Sequence, residues 1–300
     1  MKNQPSPIIL DGGLSNVLES MGCDLNHPLW TAKLIETHPD LLIKTHLIYL
    51  EAGARIISSA GYQASIEGYL SLGKTKEEAI ELIAGSLDLV LRAKKLYIEK
   101  NRPDYLVQVA ASMGPYGAFL ADGSEYSGDY KISDRELTTF HQSRIEIYEN
   151  KGADYLAFET IPSFQEVKVL SKLLDQCPSQ SWVSFSCKND SQLNDGTQIS
   201  DAVSLLSEHP TIFALGVNCT APKYMTTIIA TIKEYAPQKK IIIYPNSGEV
   251  YHADSKTWSG ISDPLVFEKM ALEWSKKGAD IIGGCCRIGP EHIAKLSRVK

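Results

Sequence analysis

The chain has 300 residues, 43% of them hydrophobic, and a formal net charge of −6. That length buries a large core, and no apolar stretch approaches the roughly 20 residues a membrane span needs. An acidic balance without any lysine or arginine run argues against general nucleic-acid binding, and MKNQPSPIILDGG lacks the basic head and apolar stretch of a signal peptide, so a cytoplasmic globular protein is expected.

Eight apolar runs read as buried strands: residues 8–13, 55–61, 106–112, 155–160, 181–187, 213–219, 240–246 and 279–285. Helical patterns separate them. The segment 75–100 opens with the capping box Thr75-x-x-Glu78 and is expected to bury Ile80, Ile83, Leu87, Val90 and Leu91 on one face. Ser133-x-x-Glu136 and Ser163-x-x-Glu166 read as two further boxes. Pro222, Pro264 and Pro290 suit first helical turns, and residues 264–277 place Phe267, Met270, Ala271 and Trp274 at helical spacing.

Three times a helical pattern ends on a glycine (Gly53, Gly152, Gly278) and a strand begins almost at once. Eight alternating strand-helix units over residues 1–300 fit a single-domain (β/α)8 TIM barrel. A doubly wound open sheet is the runner-up, but no G-x-G-x-x-G follows the first strand. The connections after strands, at 14–38, 113–132, 188–199 and 247–262, are long and polar, whereas those before strands are short. A barrel builds its active site from the long set.

The residues closing these strands carry the chemistry: Asp11-Gly12-Gly13, Glu159-Thr160, Asn218-Cys219, Asn246-Ser247-Gly248 and Cys285-Cys286. In a barrel the sixth and eighth strands have one neighbour between them, so Cys219, Cys285 and Cys286 can reach one metal, with Asn246 between. Three protein ligands and an open position describe a catalytic zinc site, and thiolates select zinc over magnesium or calcium. A shell of three thiolates makes zinc a poor activator of water. It suits holding a substrate thiol as thiolate, which points to alkyl transfer to sulfur.

Other readings stand beside this one. Cys23, Cys177 and Cys187 are scattered singly, and all six cysteines read alternatively as inert buried thiols. A disulfide framework is not expected without an oxidising compartment, and vicinal cysteines are strained partners. Lys188 after the fifth strand suggests a Schiff-base aldolase, and Gly283-Gly284 a phosphate-binding barrel, but neither uses the cysteines. A non-catalytic zinc or redox thiol protein uses the cysteines and leaves the long loops without a role. Asp11 and Asn246 each also read as turn residues. The seven histidines show no zinc-spaced pair and read as surface or packing residues.

The N-terminal DGG, Gly216-Val217-Asn218-Cys219, Tyr244-Pro245-Asn246-Ser247-Gly248-Glu249 and Gly283-Gly284-Cys285-Cys286-Arg287 together resemble the homocysteine S-methyltransferase family, essentially end to end. The resemblance implies a zinc-dependent barrel, monomeric or a small homo-oligomer, that moves a methyl group to L-homocysteine and forms methionine. It implies Cys219, Cys285 and Cys286 as zinc ligands, and Asp11, Gly12, Gly13 and Glu159 as the pocket for the homocysteine amino acid moiety. Asn246 matches a position that supplies a fourth zinc ligand in related enzymes. The loop 114–130 is similar to the branch using S-methylmethionine, with S-adenosylmethionine as a secondary donor. Its Asp122, Glu125, Tyr126, Asp129 and Tyr130 suit a sulfonium cation. Betaine-using relatives have a tyrosine after the glutamate; Thr160 stands there instead, which argues against betaine as donor.

Overall fold

In the computed structural model, residues 6–149, 151–252, 257–259 and 262–298 are described. Ten strands occur among them: β1 (Ile8–Ile9), β2 (Ile56–Ser58), β3 (Gln108–Met113), β4 (Tyr155–Ile161), β5 (Ser181–Phe185), β6 (Ile212–Asn218), β7 (Lys240–Tyr244), β8 (Val250–His252), β9 (Thr257–Ser259) and β10 (Ile281–Ile282). Eight of these lie parallel in the order β1-β10-β7-β6-β5-β4-β3-β2. The two ends meet through Leu10 and Ile56, where Arg55 N–H donates to Ile9 O at 2.7 Å and Asp11 N–H to Ile56 O at 3.0 Å. The strands therefore form a (β/α)8 barrel. β8 and β9 pair antiparallel inside the connection 247–262, read from the sequence only as long and polar; 253–256, 260 and 261 lie outside the described residues.

Helices α1 (Leu14–Ser20), α2 (Lys33–Thr37), α3 (Pro39–Glu51), α4 (Ile66–Ser71), α5 (Lys76–Asn101) and α6 (Tyr116–Leu120) follow the first three strands. They are succeeded by α7 (Asp134–Tyr148), α8 (Phe164–Leu174), α9 (Ile199–Leu206), α10 (Met225–Tyr235), α11 (Pro264–Lys277) and α12 (Pro290–Leu296). The boxes at Thr75/Glu78 and Ser133/Glu136 form in both directions. The one at Ser163 forms in one direction only: its hydroxyl accepts the Glu166 N–H at 3.3 Å, but the Glu166 carboxylate turns inward. On α5 the buried stripe contains Ala79, Ile83, Leu87 and Val90, whereas Ile80 is 36% exposed. One residue past Ala79 is about 100° around the helix, which carries Ile80 off the stripe. No described helix is long and apolar enough to cross a membrane.

Alternation with period two sorts the strand residues into two layers. Leu10, Ile56, Ala110, Ala157, Trp182, Ala214, Ile242 and Ile281 fill the barrel interior, while Ile9, Ile57, Val109, Phe158, Val183, Leu215, Ile243 and Ile282 pack outward in the main core with the helices. Alanines at 110, 157 and 214 leave room for the Trp182 ring. The barrel is a filled core, and its cavity opens only above that layer.

Regular pairing ends earlier than the apolar runs suggest at two places. The runs 8–13 and 279–285 keep strand structure only at Ile8–Ile9 and Ile281–Ile282. Beyond them the backbones approach more closely than side chains allow. Gly284 N–H donates to Asp11 O at 3.0 Å, a Cβ on Gly283 would stand 2.7 Å from the same oxygen, and one on Gly12 would collide with Ile288 O. The glycines serve this close crossing. Cys285 and Cys286 thus sit on a loop after the strand.

Candidate active site

One cavity of about 330 Å³ opens at the carboxyl ends of the barrel strands, and nearly every expected site residue lines it. Asp11, Gly12 and Gly13 come from the β1 end, Glu159 from β4, Cys219 from the β6 end, and Cys285 and Cys286 from the loop after β10. Asn246 is the exception. It is absent from the lining, and its Oδ1 accepts the Gly248 N–H at 3.0 Å, the turn-stabilising alternative.

The three thiols form the only group of three or more metal-ligating side chains of this kind among the described residues, all sulfurs lying within 4.8 Å of one another. Cys286 Sγ is 3.8 Å from Cys219 Sγ and 4.0 Å from Cys285 Sγ. Zinc–sulfur bonds of about 2.3 Å in tetrahedral geometry separate sulfurs by about 3.8 Å, a spacing that both Cys286 separations match and that the third pair can reach only once its bond is reduced. Cys219 and Cys285 are joined as a disulfide, with Cα atoms 5.5 Å apart. This corrects the expectation that no disulfide forms: the pairing is between strand ends rather than between vicinal residues, and the joined and the three-thiol states are alternatives of the same atoms.

Local backbone shape aims these groups. Cys219 adopts a left-handed conformation (φ 45°) just past β6, and so does Thr160 (φ 62°), where the register of β4 against β5 shifts between Phe158 and Ile161. A bulge re-aims a side chain, and here it turns Glu159 into the cavity. A left-handed β-branched residue is costly and needs support. Asn218 supplies it, accepting the Thr160 N–H at 2.7 Å and donating to the Thr160 hydroxyl at 2.7 Å. Asn218 Oδ1 also accepts from Ser184 at 2.8 Å, and Ser184 in turn bonds the Tyr244 hydroxyl.

Two carboxylates share the cavity floor. Asp11 is 3% exposed and accepts the Ser58 N–H at 2.7 Å, so it is not a cap for its own turn. Burial raises its carboxyl well above the usual range, Ser58 opposes this, and the Glu159 charge adds to it. Burial also pushes Glu159 up to about 7 against the nearby hydroxyls of Ser112 and Tyr244, and its Oε1 has no partner. A buried carboxylate oxygen without a donor is a costly arrangement that a bound cation would relieve.

The loop 114–130 contributes less than its composition suggested. Asp122 is occupied, its Oδ1 accepting the Ser124 N–H at 3.0 Å and the Ser124 hydroxyl, and Asp129 is exposed. Tyr130 points away into a buried cluster with Leu137 and Val169. Glu125 and Tyr126 do line the cavity, and Glu125 Oε2 is buried without a partner. Across from them stand Trp30 and Tyr62, ring centroids 6.1 Å apart, with His27 and Gln63. None of these four was marked by a motif, since they lie on turns and, for Trp30, at the start of a three-residue 3-10 helix, all too short to carry a periodic signal. Lys188 is exposed and outside the cavity lining; Gly284 does line it, but its N–H is spent on Asp11 O at 3.0 Å and is not free to cradle a phosphate.

A (β/α)8 barrel with a thiol trio at its carboxyl end and carboxylates beside it defines a class of thiol-handling enzymes. The homocysteine S-methyltransferase family profile matches residues 8–299. The homocysteine S-methyltransferase YbgG of Bacillus subtilis is 42% identical over 296 residues, covering 97% of this chain and 93% of that protein. The metallated form of the homocysteine methyltransferase MmuM from Escherichia coli superposes with a TM-score of 0.89 at 36% identity, covering 99% of this chain and 98% of that one. Its oxidized form gives a TM-score of 0.88 at 36% identity, with 99% and 97% covered. The chain belongs to the homocysteine S-methyltransferase family and is a methyltransferase.

Proposed function

We propose that the protein is a zinc-dependent enzyme that transfers a methyl group from S-methylmethionine, with S-adenosylmethionine as a secondary donor, to the thiol of L-homocysteine. The observation that carries this reading is the meeting, in one cavity, of three sulfurs within 4.8 Å and the unpartnered Oε1 of Glu159. A homocysteine molecule presents a thiol and an ammonium, the two groups these features would receive.

Cys219, Cys285 and Cys286, once reduced, would hold zinc, which supplies the Lewis acidity that keeps a substrate thiol deprotonated near neutral pH. Glu159 and Asp11 bind the ammonium of the acceptor, and the Gly12-Gly13 segment of the cavity wall lies beside its carboxylate. The acceptor sulfur attacks the donor methyl carbon, the methyl–sulfonium bond breaks, and its electron pair stays on the departing sulfur. Both products are then methionine when the donor is S-methylmethionine, and the thiol proton is released to solvent. Glu125 faces the donor cation, while Trp30, Tyr62 and Tyr126 limit water at the reacting sulfur and offer their ring faces to the positive charge. The charge on the sulfonium disappears during transfer, so Glu125 assists donor binding more than the transition state.

The test is donor competition: purified, reduced, zinc-loaded enzyme given homocysteine with S-methylmethionine, S-adenosylmethionine and betaine. S-methylmethionine should be consumed fastest and betaine not at all. Preferential use of betaine would overturn the donor assignment.

A further inference from the structure

Glu166 reads in the sequence as half of a capping box, but its carboxylate does something else. It is fully buried, and its oxygens collect three donors from outside its own helix. Oε1 accepts the Tyr116 N–H at 2.9 Å and the His141 Nε2–H at 2.6 Å, and Oε2 accepts the Tyr130 hydroxyl. The His141 tautomer follows from its other partner: Arg144 Nη2 lies 2.9 Å from Nδ1, and a guanidinium only donates. Nδ1 is therefore the acceptor and the proton sits on Nε2, facing Glu166. Arg144 is itself buried, stacked over the Phe140 ring at 4.0 Å.

The positions of these donors in the chain matter. Tyr116 opens and Tyr130 closes the loop that carries Glu125 and Tyr126 into the cavity. One carboxylate thus holds both ends of that loop. Its middle is tied separately: Ser186 Oγ donates to Glu125 O at 3.1 Å, and a Cβ on Gly117 would stand 2.5 Å from Glu125 N. The rings of Tyr116 and Tyr130, 5.6 Å apart, close the base. Glu166 lines no part of the cavity.

We infer that Glu166 is a positioning residue for the methyl donor, acting through the loop 114–130 by fixing where Glu125 stands in the cavity. This rests on Glu125 serving the donor, as proposed above. A group that merely stabilised the fold would affect donor and acceptor alike. A positioning group acting through Glu125 affects the donor side and does so only while Glu125 is present.

The experiment compares Glu166→Gln, Tyr130→Phe, Glu125→Gln and the Glu125→Gln/Glu166→Gln double variant in zinc-loaded enzyme. KM and kcat are measured for each substrate, and the loop is probed by limited chymotrypsin cleavage. Glu166→Gln and Tyr130→Phe should each raise the donor KM about tenfold, the loss expected from one hydrogen bond to a buried charge, with the homocysteine KM within about twofold. Cleavage within 114–130 should accelerate. In the double variant the losses should fall well short of multiplying, because Glu166 has nothing left to position. Equal effects on both substrates, or fully multiplying losses, would overturn the inference. If Glu125→Gln leaves the donor KM unchanged, the donor role of Glu125 is what failed; unchanged cleavage in both Glu166→Gln and Tyr130→Phe would instead show that the loop is not held from Glu166. Tyr130→Phe keeps the buried charge intact and serves if Glu166→Gln does not fold.

Discussion

The Asn218 side chain grips Thr160 at both ends of the residue, accepting its N–H and donating to its hydroxyl, each at 2.7 Å. Asn218 immediately precedes Cys219, and Thr160 immediately follows Glu159. The strand end that carries Cys219 and the strand end that carries Glu159 are thereby tied to one another across the intervening β5.

Asn218→Ala should leave the Thr160 amide buried without an acceptor and its left-handed backbone without support. A loss of about 1–3 kcal/mol in unfolding free energy is expected by urea denaturation. Homocysteine KM should rise as Glu159 relaxes. Wild-type stability together with wild-type KM would show that the grip holds nothing in place.

Glu159→Gln should weaken homocysteine binding by about ten- to a hundredfold, corresponding to roughly 1.5–3 kcal/mol for a charge-assisted bond, while zinc content stays unchanged. The comparison that isolates the ammonium is with 4-mercaptobutyrate, which is homocysteine without its amino group. Wild type should strongly prefer homocysteine, and the variant should lose most of that preference. Should the preference survive, Asp11 becomes the ammonium partner.

The pH dependence follows from Glu159 standing at about 7 in the folded protein. Unfolded, a glutamate titrates near 4.3. Between those values the folded state binds the extra proton, so its stabilising contribution is full below about 4.3 and is lost as pH rises through about 7. Ligand-free wild type should therefore lose stability relative to Glu159→Gln across that window, by on the order of 3 kcal/mol. A bound ammonium favours the carboxylate, so homocysteine affinity should rise with pH through the same window. A stability difference between the two proteins that does not vary from pH 4.5 to 7.5 would refute the assignment.

Among the acidic residues of the loop 114–130, only Glu125 should matter directly to the donor. Glu125→Gln should raise the S-methylmethionine KM about tenfold with little change in kcat, whereas Asp129→Asn should leave both within about twofold. Steady-state kinetics on the two variants decide it, and a larger effect at Asp129 would move the donor to the exposed side of the loop.

The barrel was legible because buried parallel strands and amphipathic helices alternate with different periods, and because glycines at 53, 152 and 278 punctuate them in the left-handed region. The cysteine trio was legible for a related reason: chemistry at the ends of apolar runs falls on one rim of a closed sheet. What escaped depended on side-chain direction. Glu166 stands three residues after a serine whether it caps the helix or turns inward to His141, and nothing local separates the two. Asn246 and Asn218 both follow apolar runs, yet one closes its own turn and the other reaches across to Thr160. Trp30 and Tyr62 meet over the cavity from a single 3-10 turn and a separate turn, each too short for a period to be read.

Reconstitution with zinc tests the central claim most directly. Reduced enzyme stripped by a chelator is supplied with homocysteine and methyl-labelled S-methylmethionine, with and without one equivalent of zinc, beside Cys219→Ser, Cys285→Ser and Cys286→Ser. Wild type should regain labelled methionine formation only with zinc, at about one ion per chain, and each serine variant should neither retain the metal nor turn over, because a serine oxygen is a harder and less acidic ligand. Full methyl transfer by the metal-free enzyme, or by any of the three variants, would contradict it.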